Sequence, residues 1–237
     1  PGTGKTRLAR KLLRENYQDN GFTVQFHPNV TYENFVGGLA PVETADGLGF
    51  RFAPHKGILM YAAQQAMTSA QPYLLHIDEI NRADLAKILG EAIFLFEPDA
   101  EDKRETKLAY NFGPPFGDSL ALPSNLHIVG TMNSSDRSIA IIDIAIRRRF
   151  AFLKMWPQLA IVTTEACPLM VKAFTDILTV FVEHATDESF NLVPGHSYFL
   201  YKNEQASKQA LKTNVQPLLE EYLAQGFVAG FAEPIRA

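Results

Sequence analysis

Two short, mostly apolar runs that end in polar residues constrain the fold of this chain most. Tyr73–Ile77 is followed at once by Asp78 and Glu79, and Leu126–Thr131 leads into Met132 and Asn133. Such runs are typical of strands buried on both faces of a parallel sheet. A helical pattern with one apolar stripe, over 84–97, lies between them. Strands alternating with helices predict an α/β fold with a mostly parallel sheet and helices on both faces.

The other elements are predicted from hydrophobic periodicity and from Gly and Pro breakers. They are a helix over 5–17, a strand over 23–26, a loop over 27–54 with a small hairpin around 47–50, a helix over 56–69, an exposed hairpin or loop excursion over 99–123, a turn and helix over 138–149, and a strand over 150–153. After Pro157 strand signals nearly vanish, and helices are predicted over 169–182 and 209–223. We therefore expect a core domain over 1–156 and a smaller helical domain over 157–237.

Composition and charge exclude some classes of protein. The 237 residues are 46% hydrophobic and 20% charged, which is ordinary for a globular protein with a real core. The net charge of −4 does not favour nucleic acid binding by the surface as a whole. Contact with DNA would need a local basic patch, an assembled ring or a separate domain.

The cysteine count and the apolar runs indicate the compartment. Cys167 is the single cysteine, which excludes an internal disulfide and a multi-cysteine metal site, so we expect a buried structural thiol. The six histidines show no metal-ligand spacing, and His76 and His127 are expected to be core or supporting residues within strands. No run approaches the roughly 18 apolar residues of a membrane span, and no signal peptide opens the chain. We expect a cytoplasmic protein with no membrane association.

A glycine-rich loop opens the chain. Pro1–Thr6 reads Pro-Gly-Thr-Gly-Lys-Thr, the second half of the motif G-x-x-x-x-G-K-[ST], and a helix follows directly. Gly2, Thr3 and Gly4 would let backbone N–H groups point at phosphates, with Lys5 adding positive charge and the Thr6 hydroxyl able to bind Mg²⁺. The alternative is a glycine turn that opens a helix without any ligand. The first Gly of the full motif would lie two positions before Pro1, so we expect a fragment of a longer protein, truncated before the first strand.

The acidic strand end supplies a second motif. Asp78 and Glu79 follow an apolar strand, the pattern in which an Asp holds Mg²⁺, directly or through water, and a neighbouring Glu polarises the attacking water. The alternative is an acidic pair that caps the next helix. The glycine-rich loop upstream favours the catalytic interpretation.

Two further polar groups are candidates. Asn133 lies at the carboxyl end of a predicted strand, where it could hydrogen-bond the attacking water or the γ-phosphate; capping a helix is the alternative. Arg147, Arg148 and Arg149 stand together at a helix end, where a cation favours the helix dipole. Three in a row exceed that need, so we expect at least one to act as an arginine finger on a neighbouring subunit's nucleotide.

With these motifs in order, the chain resembles AAA+ ATPases, and most closely the McrB branch, the GTP-hydrolysing motor of modification-dependent restriction. Four stretches carry the resemblance, with support from 194–199 and 217–222: Phe26–Pro28 with Tyr32–Phe35, Ile77–Arg82, Gly130–Ser138 and Ala145–Phe150. The second is shared with MoxR-type AAA+ chaperones, whereas the third looks like the McrB-branch signature. That signature usually reads Thr-Ala where this chain has Ser134 and Ser135, which leaves Asn133 and Asp136 in place.

The resemblance implies a P-loop AAA+ three-layer core with a helical lid. It implies GTP or ATP as substrate with Mg²⁺, hydrolysis between subunits of a homo-oligomeric ring (a hexamer), and Asp136 as a further nucleotide-binding residue. It also implies an McrC-like nuclease subunit as partner, with DNA bound through other domains or the assembled ring. The alternative is a MoxR-like ATP-dependent remodelling ATPase that acts on protein clients.

Two features depart from familiar nucleotide sites. The Asn-Lys-x-Asp motif by which ordinary GTPases read guanine is missing, so the preference for GTP rests on the resemblance alone. Many AAA+ lids bring an Arg to the γ-phosphate, but no Arg occurs between Phe150 and Ile235. That leaves His196, a lysine or a neighbouring subunit for the role.

Overall fold

The computed structural model describes residues 2–44, 47, 49–97, 104–133 and 142–236. The chain forms two compact units. One comprises residues 6–152, and the other joins residues 2–5 to residues 153–236. The predicted domain boundary between 156 and 157 stays a prediction.

Among its described residues, the unit over 6–152 contains seven strands and five α-helices. In chain order its elements are α1 (Lys5–Asn16), β1 (Gly21–Gln25), α2 (Tyr32–Phe35), β2 (Gly37–Glu43), β3 (Phe50–Lys56), α3 (Ile58–Thr68), β4 (Tyr73–Asp78), α4 (Leu85–Leu89), β5 (Thr106–Lys107), β6 (Ser119–Leu120), β7 (Leu126–Gly130) and α5 (Ile144–Arg147). The first residue of α1 belongs to the other unit.

A parallel sheet in the order β1–β4–β7 organises this unit. The register pairs Thr23 with His76 and His76 with Val129, so the three strands end at the same edge. Leu74 and Leu75 of β4 are fully buried, and α3 buries Leu59 and Met60 in the same core as Leu75. Burial on both faces explains why β4 shows no polar alternation. The α/β prediction is confirmed.

The segment predicted as a loop over 27–54 holds more regular structure than expected. Thr31 caps α2 by accepting a hydrogen bond from the Asn34 backbone, and the antiparallel pair β2–β3 extends well beyond the hairpin predicted around 47–50. Phe50 and Phe52 remain 74% and 71% exposed on this hairpin. The prolines and glycines of the segment hid the strand pattern, because they usually mark turns.

The helix predicted over 84–97 is broken. It forms α4, and a 3₁₀ segment then runs over Gly90–Phe96. Gly90 has φ of +49°, and a Cβ there would lie 3.1 Å from the Tyr32 ring. The left-handed backbone ends the α-helix although the apolar stripe continues.

The strand predicted over 150–153 was wrong. These residues have no strand structure, Leu153 is 91% exposed, and the Arg147 guanidinium lies over the Phe152 ring at 5.3 Å. An apolar run becomes a strand only when a neighbouring strand satisfies its backbone groups. Within the described ranges, none pairs with this run.

The unit over 2–5 and 153–236 is helical after residue 153. Its helices are α6 (Leu159–Glu165), α7 (Pro168–His184), α8 (Asp187–Phe190), α9 (Glu204–Ala210), α10 (Gln216–Ala224) and α11 (Ala232–Arg236). The long helix α7 organises two apolar clusters, in which Phe174 packs on Phe199 at 5.0 Å and Phe181 on Phe231 at 5.3 Å. A short π-helical turn, Leu211–Val215, joins α9 to α10, so the helix predicted over 209–223 is irregular at its start.

Three smaller predictions can be compared with the structure. His76 is fully buried, as expected for a core or supporting residue. His127 is instead exposed, with its Nδ1 2.6 Å from the Tyr17 hydroxyl oxygen. Cys167 is half-buried rather than buried, and its Sγ lies 3.1 Å from Ser207 Oγ. Across the described parts of the chain, no helix is both long and apolar enough to cross a membrane.

Candidate functional site

The Asp78 carboxylate is the centre of the site in the unit over 6–152. It ends β4, and the Thr6 hydroxyl near the start of α1 donates to it, with Oγ1 3.0 Å from Oδ1 and 3.2 Å from Oδ2. The Thr131 hydroxyl, just past β7, also donates to Oδ1. A helix start and two strand ends thus bring three oxygen-bearing side chains together, as expected where parallel strands share a carboxyl edge.

A polar chain crosses the sheet behind Asp78. Thr23 Oγ1 on β1 lies 3.0 Å from His76 Nδ1 on β4, and His76 Nε2 lies 3.5 Å from Thr131 Oγ1. Because the Thr131 hydroxyl donates to Asp78, its oxygen can accept from His76 Nε2–H, which leaves Nδ1 to accept from Thr23. The arrangement assigns one tautomer to the imidazole and orients the Thr131 hydroxyl toward Asp78.

Burial favours the neutral form of the His76 imidazole in the folded protein. Burial lowers its pKa below the ordinary value of 6.5, because a charged ring would lose hydration inside the sheet. The Asp78 charge opposes this shift, and the Arg10 charge adds to it. Sequence reasoning placed His76 in the interior but missed Thr23 and Thr131 as its partners.

Glu79 adopts a strained backbone conformation at the strand end. Its φ and ψ of 54° and 44° are left-handed, which costs a residue other than Gly about 1 kcal/mol. Its side chain pairs with Arg82, whose Nε lies 2.5 Å from Oε2. Strain of this kind concentrates at functional sites, where the surrounding structure holds a residue in position.

Asn133 is hydrogen-bonded through its backbone to the segment that follows Asp78 and Glu79. The buried Asn81 side chain donates from Nδ2 to the Asn133 backbone carbonyl at 3.2 Å. Past the strands, Thr131 N–H donates to Ile77 O and Ile80 N–H to Thr131 O, both at 2.9 Å. These bonds fix the segment bearing Asn133 beside the one bearing Glu79. The sequence analysis did not identify Asn81 as a site residue. Its position in the Ile77–Arg82 stretch, which carries part of the family resemblance, is the signal that could have identified it.

The glycine-rich loop belongs to the other unit. Gly2 and Gly4 have φ of +74° and +78°, left-handed values that glycine adopts without strain. Thr3 between them is buried, and Lys5 Nζ lies 3.4 Å from Thr3 Oγ1. A left-handed glycine on each side of Thr3 turns backbone N–H groups toward a common point, where they favour the binding of an anion.

The loop packs against the turn His196–Phe199 of its own unit. Ser197 N–H donates to the Gly2 carbonyl at 3.0 Å, and a Cβ at Gly2 would lie 2.6 Å from Ser197 Oγ. A Cβ at Gly4 would lie 3.6 Å from His196 Nε2. The turn therefore supports the loop, a contact that the sequence did not predict.

The three arginines occupy different environments. The Arg149 side chain is 8% exposed, with Nη2 2.6 Å from Glu97 Oε2 and Nη1 donating to the Ala145 carbonyl. Arg148 is 62% exposed and lies 3.5 Å from Glu97 Oε1, whereas Arg147 is exposed over Phe152. Only the last two present a guanidinium to the surface. Asp136, the remaining predicted site residue, lies outside the described residues.

The donor set suits a hard cation. Thr6, Thr131 and Asp78 offer only oxygen atoms, which Mg²⁺ prefers. Among the residues that the structure describes, no group of three or more His, Cys, Asp or Glu side chains could hold a metal ion alone. This fits an ion held by one or two protein oxygens together with water and substrate phosphates.

Known proteins resemble this chain. A family model described as AAA domain (dynein-related subfamily) matches residues 1–150. The type IV methyl-directed restriction enzyme EcoKMcrB subunit of Escherichia coli (strain K12) is 32% identical over 246 residues, covering 94% of this chain and 52% of that protein. The type II restriction enzyme BsuMI component YdiS of Bacillus subtilis (strain 168) is 28% identical over 189 residues, covering 64% of this chain and 54% of that protein.

The chain thus spans about half the length of the curated relatives it matches. A crystal structure of a candidate ATPase from Cytophaga hutchinsonii ATCC 33406 aligns over 93% of this chain and 82% of its own, with 12% identity and a TM-score of 0.35. That likeness is too weak to bear on this chain. The family match and the two restriction components agree with the motifs described above, and the chain belongs to the AAA domain family, dynein-related subfamily, as an McrB-like AAA+ NTPase.

Proposed function

We propose that this chain binds a nucleoside triphosphate with Mg²⁺ and hydrolyses it between subunits of a ring. The observation that carries the proposal is the convergence of the Thr6 and Thr131 hydroxyls on the Asp78 carboxylate at the end of a buried parallel strand. Thr6 and Asp78 would hold Mg²⁺, which supplies positive charge to the phosphate oxygens. Lys5 and the N–H groups of Gly2–Gly4 would bind the phosphates.

Glu79 is the proposed general base. Its left-handed backbone sets it directly after the metal-binding residue, and its carboxylate can accept a proton from the attacking water. The ion pair with Arg82 holds that carboxylate in the structure described here, so it must be released or shared during turnover. Asn133, tied through its carbonyl to Asn81, would position the water.

Arg147 and Arg148 are the proposed arginine fingers. Both are exposed, whereas the Arg149 guanidinium is buried against Glu97. A finger must reach a neighbouring subunit's phosphates, so exposure favours the first two and gives Arg149 a supporting role within its own subunit. Asp136 is retained as a proposed nucleotide contact by resemblance.

We propose likewise that the substrate is GTP, that the chain serves DNA restriction, and that its partner is an McrC-like nuclease. These proposals draw on the two relatives, both named as components of restriction enzymes, one of them methyl-directed. We infer a hexameric ring in the cytoplasm, with DNA bound through other domains or the assembled ring. The −4 net charge agrees with DNA contact through parts other than this chain's general surface.

Phosphate release from GTP and from ATP tests the proposal. We expect GTP turnover by the wild type and a loss of about 100-fold or more in Glu79→Gln, because the amide cannot accept the proton. Glu15→Gln, an exposed carboxylate on α1, is the matched control and should retain wild-type turnover. ATP-selective turnover would overturn the GTP assignment and favour a remodelling ATPase. Equal turnover by wild type and Glu79→Gln would overturn the role of Glu79.

A further inference from the structure

We propose that Glu97 is a positioning residue, which holds Arg148 where its guanidinium can serve a neighbouring subunit's nucleotide. The inference rests on the proposed function, in which Arg147 and Arg148 are arginine fingers. Glu97 directly follows the 3₁₀ segment Gly90–Phe96, and its side chain is 21% exposed. It lies in the unit over 6–152, as do all the residues with which it pairs.

The Glu97 carboxylate is shared by three arginines. Oε2 lies 2.6 Å from Arg149 Nη2 and 3.7 Å from Arg104 Nη1, and Oε1 lies 3.5 Å from Arg148 Nη2. Among the residues that the structure describes, no other carboxylate forms an ion pair with these arginines. Three guanidinium groups around one carboxylate repel one another, so the approach of Arg148 to the other two depends on Glu97.

The two carboxylate oxygens contact side chains of very different exposure. Oε2 contacts Arg149, which is buried and also donates to the Ala145 carbonyl, so this side of the carboxylate is fixed. Oε1 contacts Arg148, which is 62% exposed and is not held by packing. A long exposed side chain has many rotamers, and an ion pair with a fixed carboxylate reduces their number. Glu97 therefore orients Arg148 and leaves most of its guanidinium at the surface.

The flanking residues strengthen this arrangement. Phe96 precedes Glu97 and Phe150 follows Arg149, and their rings pack with centroids 5.7 Å apart against the core of the unit. Two adjacent pairs, 96 with 150 and 97 with 149, thus fix the end of the 3₁₀ segment to the turn that ends α5. A catalytic group supported in this way stays near its productive geometry, from which a displacement of about 1 Å can lower a rate about 100-fold.

Steady-state hydrolysis by the full chain with Glu97→Gln, using the nucleotide that the wild type prefers, is the first test. Gln keeps the size of Glu and lacks its charge. We expect kcat about tenfold or more below wild type and KM within about threefold, because Arg148 would act on the transition state at a neighbour's nucleotide. Glu15→Gln, which removes an exposed carboxylate paired with Lys11, should behave as wild type does. Wild-type or faster turnover, or a raised KM with unchanged kcat, would overturn the inference.

Mixing separates a role through the arginines from a role in the fold. Equal amounts of Glu97→Gln and Glu79→Gln should reach about a quarter of wild-type turnover, because one interface in four joins an intact base to a correctly held finger. Glu97→Gln mixed with the chain carrying Arg147→Ala and Arg148→Ala should not exceed Glu97→Gln alone, since both chains have the same defect. Recovery with the arginine variant, or none with Glu79→Gln, would contradict the role of Glu97.

Thermal melting shows whether Glu97→Gln stays folded. If it melts far below wild type, adding Arg149→Met removes the buried guanidinium that has lost its partner, and mixing this chain with Glu79→Gln should again give about a quarter of wild-type turnover. No recovery by that folded chain would overturn the inference. If Glu79→Gln and the chain with Arg147→Ala and Arg148→Ala fail to restore each other, hydrolysis between subunits is itself refuted, and the role of Glu97 with it.

Discussion

At the residue scale, Asp78 is positioned by side chains from β1, from β4, from the segment just past β7 and from α1. Thr6 and Thr131 donate to its carboxylate, and His76, which accepts from Thr23, supports Thr131 from behind. Each hydrogen bond to a carboxylate contributes about 1.5–3 kcal/mol, enough to fix the rotamer. A metal-binding side chain fixed before the ligand arrives loses less entropy on binding.

The buried imidazole predicts a pH dependence of stability. Because burial lowers the His76 pKa below 6.5, the His76 ring binds fewer protons in the folded protein than in the unfolded chain in mild acid. The contribution of His76 is therefore complete above about pH 6.5 and is lost as the pH falls below that value. Urea denaturation should show the unfolding free energy of wild type falling more, from about pH 7.5 to 5.5, than that of His76→Gln. Identical slopes in the two proteins would contradict a neutral, buried His76, and His184→Gln should follow wild type.

Because Arg149 is buried and Arg147 is exposed, their substitution is expected to change the free energy of unfolding by different amounts. Arg149→Ala removes a buried partner of Glu97 and should cost about 2–4 kcal/mol of unfolding free energy. Arg147→Ala removes an exposed guanidinium over Phe152 and should cost less than about 1 kcal/mol. Denaturant titration of both variants measures the difference. Equal losses would show that the Arg149 pair does not support the fold.

At the element scale, Gly90 decides where α4 ends. The apolar stripe continues to Phe96, yet the chain leaves the α-helical conformation at Gly90, whose Cα faces the Tyr32 ring of α2. Tyr32 also donates to Glu91 at 2.7 Å. The break therefore lets α2 pack closely on the segment that follows the acidic strand end.

Gly90→Ala should destabilise the protein by about 1–3 kcal/mol, because alanine is strained at this backbone conformation and its Cβ crowds Tyr32. Gly230→Ala is the matched control: a Cβ at that position meets nothing within 4 Å, so a change below about 0.5 kcal/mol is expected. Thermal unfolding of both variants gives the comparison. A neutral Gly90→Ala would show that the break has another cause.

The sequence predicted those features that depend on a local pattern of residues, and it did not predict those that depend on contacts between distant segments. β4 was predicted because burial on both faces leaves an unbroken apolar run, and the same logic placed Asp78 at a strand end. β7 was predicted because its sequence is similarly apolar, although its residues are only partly buried or exposed. The run over 150–153 looked alike but lacks a partner strand, which no local pattern reveals. Thr23 and Thr131 were missed because their roles depend on strand register, which pairs Thr23 with His76 across β1 and β4.

At the scale of the whole molecule, the proposed site is divided between subunits. The candidate base Glu79 and the exposed Arg147 and Arg148 would serve different nucleotides, so one chain alone would be incomplete. Closed rings supply every interface with both parts. This predicts that two differently inactivated chains can restore one another.

Mixing Glu79→Gln with a double variant, Arg147→Ala and Arg148→Ala, should restore turnover that neither shows alone. With random assembly, about one quarter of interfaces would combine an intact Glu79 with intact arginines from the neighbour. Phosphate release from the mixture should therefore approach about a quarter of the wild-type rate. No recovery, with both variants assembling normally, would place the arginines in the same subunit's site or outside the reaction.

The most direct test of the nucleotide site is calorimetric binding of a non-hydrolysable GTP analogue with Mg²⁺ and with excess EDTA. Because Thr6 and Asp78 are proposed to join the ion to the phosphates, wild type should bind at least about tenfold more tightly with Mg²⁺. Asp78→Asn should lose most of that difference. Wild-type binding that is indifferent to Mg²⁺, or full Mg²⁺ dependence in Asp78→Asn, would contradict the assignment of Asp78 and Thr6 as the metal site.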